Sequence, residues 1–282
     1  MKMKSVLALI EKKKATFSQL PFYKFLRNDA IDPKQRLAFA PCFSFFVMGF
    51  RELNTHVFRD IPTQDKVQDL INQHTYEDDT HWIWFLEDLE KLGIDYSLRF
   101  SNSLRYLWSP ENNCSRWVIY KLYRLTYQAH PIQKLVILEA IEAIADIFLG
   151  ATAQVASALQ EISKEEYHYF SQHHFSVDTN HEMHSEEQEA FIKNLEISVE
   201  FQDNIYEIVE QVFEIFTDFS SALLEYAQTH SINQPLKDMA MLDELRNLKH
   251  KLPTDTQQPH LTSISGNFKP LGTYLVESGL LT

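Results

Sequence analysis

Glycine is scarce in this chain of 282 residues. There are six glycines, and three of them, Gly266, Gly272 and Gly279, lie near the C-terminal end. Proline is missing from the whole stretch between Pro131 and Pro235. Tight turns and β-bulges often require glycine, so its scarcity argues against a β-rich fold. Proline interrupts helices, so its absence from this long stretch is compatible with helical structure. Apolar residues recur with a period near 3.6, which predicts an all-α protein.

Positive charge and cysteine are also in short supply. Lysine and arginine number 26 against 39 acidic residues, giving a formal charge of −13, and no basic patch is present. That balance argues against a nucleic-acid or anionic-membrane surface. Cys42 and Cys114 form no paired framework, which indicates a reducing compartment. The opening segment MKMKSVLALIEKKK has too short an apolar run for a signal peptide or a membrane span, so we expect a soluble cytoplasmic protein.

The spacing of apolar residues predicts a single helical bundle over residues 1–250. Helices are expected at 2–15, 34–58, 64–92, 115–128, 131–161, 164–182, 186–229 with a break near 195, and 236–250. Residues 251–282 mix proline, glycine, serine and threonine without a period. We expect this segment to form an extended C-terminal arm.

The segment HHFSVDTNHEMH, residues 173–184, concentrates potential metal ligands. On a helix, His174, Asp178 and His181 lie within about 60° of one another, and Tyr167 and Phe170 share their face. An inward face would require partners for these polar groups, because burial without a partner costs several kcal/mol. Imidazole nitrogen and carboxylate oxygen together suit iron, manganese or zinc. The alternative is the polar end of a helix.

The predicted helix 131–161 is apolar or small on almost every side, as expected of a central helix. Between Leu135 and Leu159 its charged residues are Glu139, Glu142 and Asp146, which project within about 60° of each other. They form either a thin solvent-facing stripe or a set of carboxylates that require a cation.

A third cluster lies in HTYEDDTHWIWFLEDLEKLG, residues 74–93. Glu77 and Asp78 precede His81 by about one helical turn and His74 precedes it by two turns, so all four lie near one side of a helix. Taken alone, such a group fits solvated surface. Together with the two other clusters, it predicts carboxylate and histidine side chains projecting inward from three helices, an arrangement that holds dinuclear metal sites.

The pattern His174-x-x-x-Asp178-x-x-His181, with Glu142 upstream and an acidic residue plus His81 on an earlier helix, resembles the haem-oxygenase-like diiron oxidases. The likeness spans about residues 20 to 230 and implies the helical fold shared by TenA-like, PqqC-like and haem-oxygenase proteins. It also implies that His81, Glu142, His174, Asp178 and His181 are metal ligands, together with the acidic residue of the earlier helix.

The resemblance leaves the acidic ligand of the first helix open, because both Glu77 and Asp78 are available. A hard oxygen ligand is expected there, which favours either residue over His74. Glu139 is the substitute for Glu142, one turn away.

The implied cofactor is a pair of iron ions, with manganese as an alternative. The implied reaction is O₂-dependent oxidation of a small molecule derived from an amino acid or resembling a fatty acid, by N-oxygenation, C–C cleavage or desaturation. Two alternatives remain: a metal-free TenA-like hydrolase with a cysteine nucleophile, and a non-catalytic helical metal-binding or interaction protein. We expect no nucleic-acid or membrane partner, and a homodimer as the commonest assembly.

Two aromatic groups can either form core or line an apolar substrate pocket, and helical spacing favours core. They are Phe39, Phe43, Phe45, Phe46, Phe50 and Phe58 in one segment and Tyr120, Tyr123 and Tyr127 in another. Arg51, Glu52 and Arg124 are candidates to meet a substrate carboxylate or amine.

Overall fold

The computed structural model describes residues 2–95, 97–179 and 185–232, and at positions 178, 179 and 203 it describes only the backbone. Helices form nearly all of the regular structure in these ranges. No β-strand occurs in these ranges, so the predicted all-α class is confirmed. The helices are α1 Met3–Phe17, α2 Pro21–Leu26, α3 Pro33–Arg36, α4 Ala40–Leu53, α5 Lys66–Glu77, α6 His81–Lys91, α7 Phe100–Leu107, α8 Asn113–Thr126, α9 Pro131–Ser163, α10 Gln172–Thr179, α11 Glu186–Asn194 and α12 Gln202–Thr229.

The long helix α9 is the centre of the bundle, as its apolar composition predicts. It packs against α1, α5, α10 and α12, and its residues Leu135 to Leu138 are fully buried. Its start is fixed locally, because Pro131 occupies the first turn and the His130 ring accepts a hydrogen bond from the backbone N–H of Ile132. The helix ends where Lys164 adopts a left-handed backbone conformation with φ of 64°.

The predicted helix 64–92 is wrong in one respect, because it is interrupted. Helix α5 ends at Glu77, a 3₁₀ turn spans Asp78–Thr80, and α6 begins at His81. The cause is a side chain from outside the helix. Arg59 donates a hydrogen bond of 2.8 Å to the carbonyl of Thr75, the group that would accept from residue 79 in a continuous helix. Arg59 also forms a 3.0 Å ion pair with Asp79.

The predicted helix 164–182 is also wrong at its start, since α10 begins at Gln172. The preceding segment is held in a non-helical conformation by Asp88 of α6, which is fully buried. Its two carboxylate oxygens accept hydrogen bonds from the backbone N–H groups of His168, at 2.8 Å, and Phe170, at 3.0 Å. Asp88 thereby ties the approach to α10 directly onto α6.

Other differences are smaller. The predicted helix 34–58 divides into α3, α4 and a π-helical turn over Asn54–Phe58, and neither α2 nor α7 was predicted. The break near 195 is confirmed between α11 and α12. The predicted helix 236–250 and the arm 251–282 lie outside the described residues. None of the described helices combines the length and the apolar character needed to cross a lipid bilayer.

Candidate metal centre

Three parts of the bundle converge on one cluster of histidines and carboxylates. The α5–α6 junction contributes His74, Asp78 and His81, the central helix α9 contributes Glu142, and α10 contributes His174. Four of these were predicted as ligands from the sequence, and the structure brings those four together. The fifth, His74, was set aside in favour of a carboxylate.

One half of the cluster consists of His74, Asp78 and Glu142. The Nε2 atom of His74 lies 3.2 Å from Oε1 of Glu142 and 3.4 Å from Oδ2 of Asp78. Ligand-type atoms of these three residues all lie within 4.8 Å of one another. His74 is 1% exposed, so the group is enclosed by the protein. We call these three residues the first subsite.

The other half consists of His81 and His174, together with the second oxygen of Asp78. His81 Nδ1 lies 3.6 Å from Asp78 Oδ1 and 3.0 Å from His174 Nε2. Both imidazoles are buried, with 8% and 4% exposure. We call this group the second subsite. Asp78 therefore presents one oxygen to each subsite, which is the role of a bridging carboxylate.

The separations suit ions bound within the cluster. A divalent metal with bonds of about 2.1 Å holds neighbouring ligand atoms roughly 3.0 to 3.5 Å apart in octahedral or tetrahedral geometry. The observed contacts of 3.0, 3.2 and 3.4 Å fall in that interval, and the 3.6 Å contact between His81 and Asp78 lies just above it. All but the shortest of these contacts reach or exceed the usual upper limit of a hydrogen bond. Mixed imidazole and carboxylate donors suit iron, manganese or zinc.

The tautomer of His174 also fits a ligand role. Its Nδ1 atom lies 2.8 Å from the carbonyl oxygen of Tyr169, and because a carbonyl can only accept, Nδ1 carries the proton. In the neutral ring the Nε2 lone pair is then directed at the second subsite. A histidine ligand held by a hydrogen bond from its other nitrogen is the usual arrangement around protein-bound metals.

Neighbouring side chains hold the ligands in place. Asn54, at the start of the π-helical turn, donates a hydrogen bond of 3.1 Å to Asp78 Oδ2. Trp84 stacks on the His81 ring at 4.6 Å between centroids and meets the His174 ring edge-on at 5.5 Å. π-helical turns and 3₁₀ interruptions are found often at functional sites. Here both of them adjoin the same aspartate.

The electrostatics of the first subsite are those of two carboxylates around one imidazole. Burial by itself lowers the pKa of His74, but the charges of Asp78 and Glu142 outweigh it and hold that pKa well above its ordinary value. Burial likewise raises the pKa of Asp78, and the neighbouring His74 reverses this, so that the net pKa is lowered. The site thus favours a positive charge between the two carboxylates, which either a proton or a metal ion supplies.

The three acidic residues of α9 border one surface depression, but Glu142 and Asp146 contact different partners. Glu142 reaches His74, whereas Asp146 forms an ion pair with Lys14 of α1. Glu139 lines a surface depression between α1, α9 and α11, which Glu142 and Asp146 also border. The structure therefore places Glu142 in the first subsite, and Glu139 remains beside it as an alternative.

The remaining predicted ligands are placed as follows. Glu77 is not in the group formed by His74, Asp78 and Glu142 among the described residues. The side chain of Asp178 and all of His181 lie outside the described residues, and their roles stay predictions. A signal for His74 was present in the sequence: His74-x-x-x-Asp78-x-x-His81 has the same spacing as the motif beginning at His174.

An apolar cavity of about 110 Å³ adjoins the cluster. Asp78, His81, Glu142 and His174 form part of its wall, and the rest is mainly aromatic, with Phe43, Phe46, Phe50, Phe148, Phe216 and Phe219. Of the aromatic residues considered above, Phe43, Phe46 and Phe50 thus line a pocket. The prediction that the tyrosine group forms core or lines a pocket was wrong, because Tyr120, Tyr123 and Tyr127 are 47%, 44% and 54% exposed.

Arg51 lies where this cavity approaches the surface. Its side chain is 43% exposed, lines the cavity, and places its guanidinium 5.8 Å from the centre of the Trp82 ring. Arg51 also donates a hydrogen bond of 2.8 Å to the neighbouring Glu52. A permanent cation at the edge of an apolar cavity can bind the carboxylate of a molecule whose apolar part lies inside.

Comparison with known proteins gives no direct assignment. No family model matches the sequence, and no curated protein matches it. The interpretation of the site therefore depends on the chemistry of its residues.

Proposed function

We propose that the protein is a non-haem, dinuclear metal oxidoreductase that uses O₂ to oxidise a small apolar molecule. The observation that carries this proposal is the position of Asp78 between two subsites. One oxygen faces His74, which also contacts Glu142, and the other faces His81, which contacts His174. A carboxylate between two groups of imidazole and carboxylate ligands is the arrangement that bridges a metal pair.

The resemblance to haem-oxygenase-like diiron oxidases supports iron as the metal, with manganese as the alternative. We assign the bundle to that fold by the same resemblance, and we expect a cytoplasmic location because both cysteines are free thiols. A homodimer remains the expected assembly. When bound, a pair of ferrous ions supplies the electrons and open coordination positions that O₂ chemistry requires.

The chain's own contribution is to position the ligands and to exclude water. Tyr169 fixes the tautomer of His174, and Asn54 orients Asp78. The phenylalanine walls of the cavity make the space next to the ligands apolar. An engineered cavity of about 150 Å³ accommodates benzene. A cavity of about 110 Å³ therefore suits a compact apolar group, with small movements of its walls for anything larger.

Arg51 narrows the substrate class to apolar carboxylic acids. A charge-assisted hydrogen bond from its guanidinium contributes about 1.5–3 kcal/mol. We therefore expect Arg51→Gln to raise the substrate concentration at half-maximal rate by roughly 10- to 100-fold while the rate at saturation changes little. A decrease of the same factor in the rate at saturating substrate would contradict this role of Arg51.

The alternative of a metal-free hydrolase with a cysteine nucleophile has less support. Among the described residues that line the apolar cavity there is no cysteine. A non-catalytic metal-binding protein would need the cluster but not the cavity beside it. Both alternatives are separated from an oxidase by the dependence of turnover on metal and O₂.

The test is O₂ consumption by the chain after anaerobic loading with Fe(II), with a chemical reductant and a panel of aliphatic and aromatic carboxylic acids. We expect consumption to require iron, to be accelerated by some of the acids, and to fall by roughly 100-fold or more in Asp78→Asn. His56→Ala is the matched control, because His56 is 66% exposed and pairs with Glu52 on the surface. Consumption that survives a chelator, or that is equal in Asp78→Asn and the wild type, would overturn the proposal.

A further inference from the structure

The two cysteines, far apart in sequence, lie side by side in the bundle. Cys42 is in the first turn of α4 and Cys114 in the first turn of α8. Their sulfur atoms are 3.7 Å apart, and both thiols lie near one acceptor, the carbonyl oxygen of Glu111, at 3.6 and 3.7 Å. Both are free thiols. A disulfide requires the sulfur atoms to approach to about 2.05 Å.

Contacts close to the pair fix α4 against α8. The Ser115 hydroxyl, next to Cys114, accepts a hydrogen bond of 2.9 Å from the backbone N–H of Phe46, one turn after Cys42. Further along, Gly49 lies so close to α8 that an added Cβ would be 2.7 Å from the Ile119 side chain. The two sulfur atoms are therefore held in proximity by the packing of the helices.

The two thiols differ in their environment in a way that assigns them different roles. Cys42 is 0% exposed, whereas Cys114 is partly exposed and borders a surface depression with Trp117 and Lys121. The hydrogen bond from Cys42 lowers the pKa of Cys114, and backbone N–H groups at the start of α8 add to this effect. The same contact and burial raise the pKa of Cys42. The accessible thiol is thus also the one that more readily ionises to the reactive thiolate.

We propose that Cys42 and Cys114 form a dithiol site that hydroperoxides oxidise to an intramolecular disulfide. The Cys114 thiolate attacks one oxygen of hydrogen peroxide, the O–O bond breaks, and the departing hydroxide takes up a proton to become water. The resulting sulfenic acid at Cys114 is attacked by the Cys42 sulfur, which gives up its proton, so that the S–S bond forms and a second water leaves. Two thiols are oxidised by two electrons and one peroxide is reduced to two waters.

The consequence is a covalent link between α8 and the helix that forms one side of the cavity. Phe43 follows Cys42 directly and lines the cavity, where it stacks on Phe148 at 5.0 Å and on Phe219 at 5.7 Å. Drawing the sulfur atoms together shifts the start of α4 relative to α8. The site is separate from the ligand cluster, and its oxidation does not depend on the proposed metal chemistry.

The experiment uses the full chain, reduced and treated with a chelator so that iron chemistry plays no part. After exposure to hydrogen peroxide, free thiols are alkylated and the digested chain is analysed by mass spectrometry. We expect a linked Cys42–Cys114 peptide in a monomeric chain, reversed by a dithiol reductant. Peroxide treatment that leaves both cysteines alkylated, or that yields only links between chains, would overturn the proposal.

Two serine variants test the assigned roles. Cys42→Ser should accumulate a sulfenic acid at Cys114, trapped by dimedone, at a rate within about twofold of the wild-type reaction. Cys114→Ser should slow thiol oxidation by about tenfold or more, because the remaining thiol is buried and protonated. Equal oxidation of the two variants would refute the assignment. The wild-type peptide map decides the proposal if either variant loses its helical circular dichroism.

Discussion

Replacement of Asp78 by asparagine tests the bridging role with almost no change of shape. The asparagine side chain keeps an oxygen that can accept the hydrogen bond from Asn54. It removes one negative charge located 3.4 Å from His74 and 3.6 Å from His81. At an effective dielectric constant of about 20, the attraction between Asp78 and a protonated His74 is about 5 kcal/mol.

Most of that attraction is offset in the metal-free protein. A buried carboxylate loses its hydration, and Asp78 also repels Glu142, so these two costs offset much of the attraction. His74 keeps Glu142 at 3.2 Å in the variant and is not left without a counter-charge. We therefore expect the melting temperature of metal-free Asp78→Asn to lie within a few degrees of the wild type.

Metal binding should separate the two proteins. At a free-ion concentration about 100 times the dissociation constant, binding stabilises the folded chain by about 2.7 kcal/mol. For a domain of this size that corresponds to a rise of roughly 5–10 °C in melting temperature. The measurement is calorimetry of each protein without metal and with Mn(II) or anaerobic Fe(II), and we expect Asp78→Asn to lose at least half of the rise. An equal rise in both proteins, or a large loss of stability without metal, would refute the bridging role.

Three further predictions concern the surroundings of the site. Asp88→Ala leaves two backbone N–H groups without their acceptor and should destabilise the protein by about 1–3 kcal/mol per group. Urea unfolding measures this change in the free energy of unfolding. A change below about 0.5 kcal/mol would contradict the role of Asp88 in holding the segment before α10. Ala145→Leu fills part of the cavity and should abolish acceleration of O₂ consumption by substrates while metal loading persists, and unchanged acceleration would place the substrate elsewhere. Although burial lowers the pKa of His74, Asp78 and Glu142 hold that pKa above its ordinary value, so a metal ion must displace a proton when it binds. The apparent affinity for the metal should therefore rise with pH by up to about tenfold per pH unit. Titration calorimetry in two buffers of different protonation enthalpy measures the released proton, and equal binding heats in the two buffers would contradict its release.

The helical content and the central helix could be predicted because they depend on local pattern. The apolar period predicts a helix over residues 131–161, and the observed α9 spans Pro131–Ser163. By contrast, the break at Asp78–Thr80 depends on Arg59, which reaches Thr75 from another element. No property of the segment itself indicates this contact. The late start of α10 has the same kind of cause, since Asp88 binds backbone groups 80 and 82 residues away.

The candidate site was predictable in part from helical spacing together with the family resemblance. These selected His81, Glu142 and His174, with Glu139 as a substitute for Glu142, and left Asp78 and Glu77 as alternatives; the structure brings Asp78, His81, Glu142 and His174 together. His74 was set aside because a carboxylate was expected at its position. Its contact with Glu142 depends on the packing of α5 against α9, which spacing within one helix does not reveal.

The cysteine pair shows the limit of sequence reasoning most clearly. Cys42 and Cys114 carry no spacing that predicts proximity, and no paired framework was predicted from them. Their 3.7 Å separation arises from the close packing of α4 on α8, which Gly49 permits. A single glycine in a helix gives no indication of its neighbour until the neighbour is known.

The most direct test of the central claim is the number of ferrous ions bound per chain under anaerobic conditions, determined by equilibrium dialysis and metal analysis. The account predicts two per chain in the wild type and in His56→Ala, and a loss of at least one in His174→Ala, whose ring forms part of the second subsite. Binding of no iron by the wild type, or equal binding by His174→Ala, would contradict a dinuclear centre and would leave these histidines as a buried hydrogen-bond network.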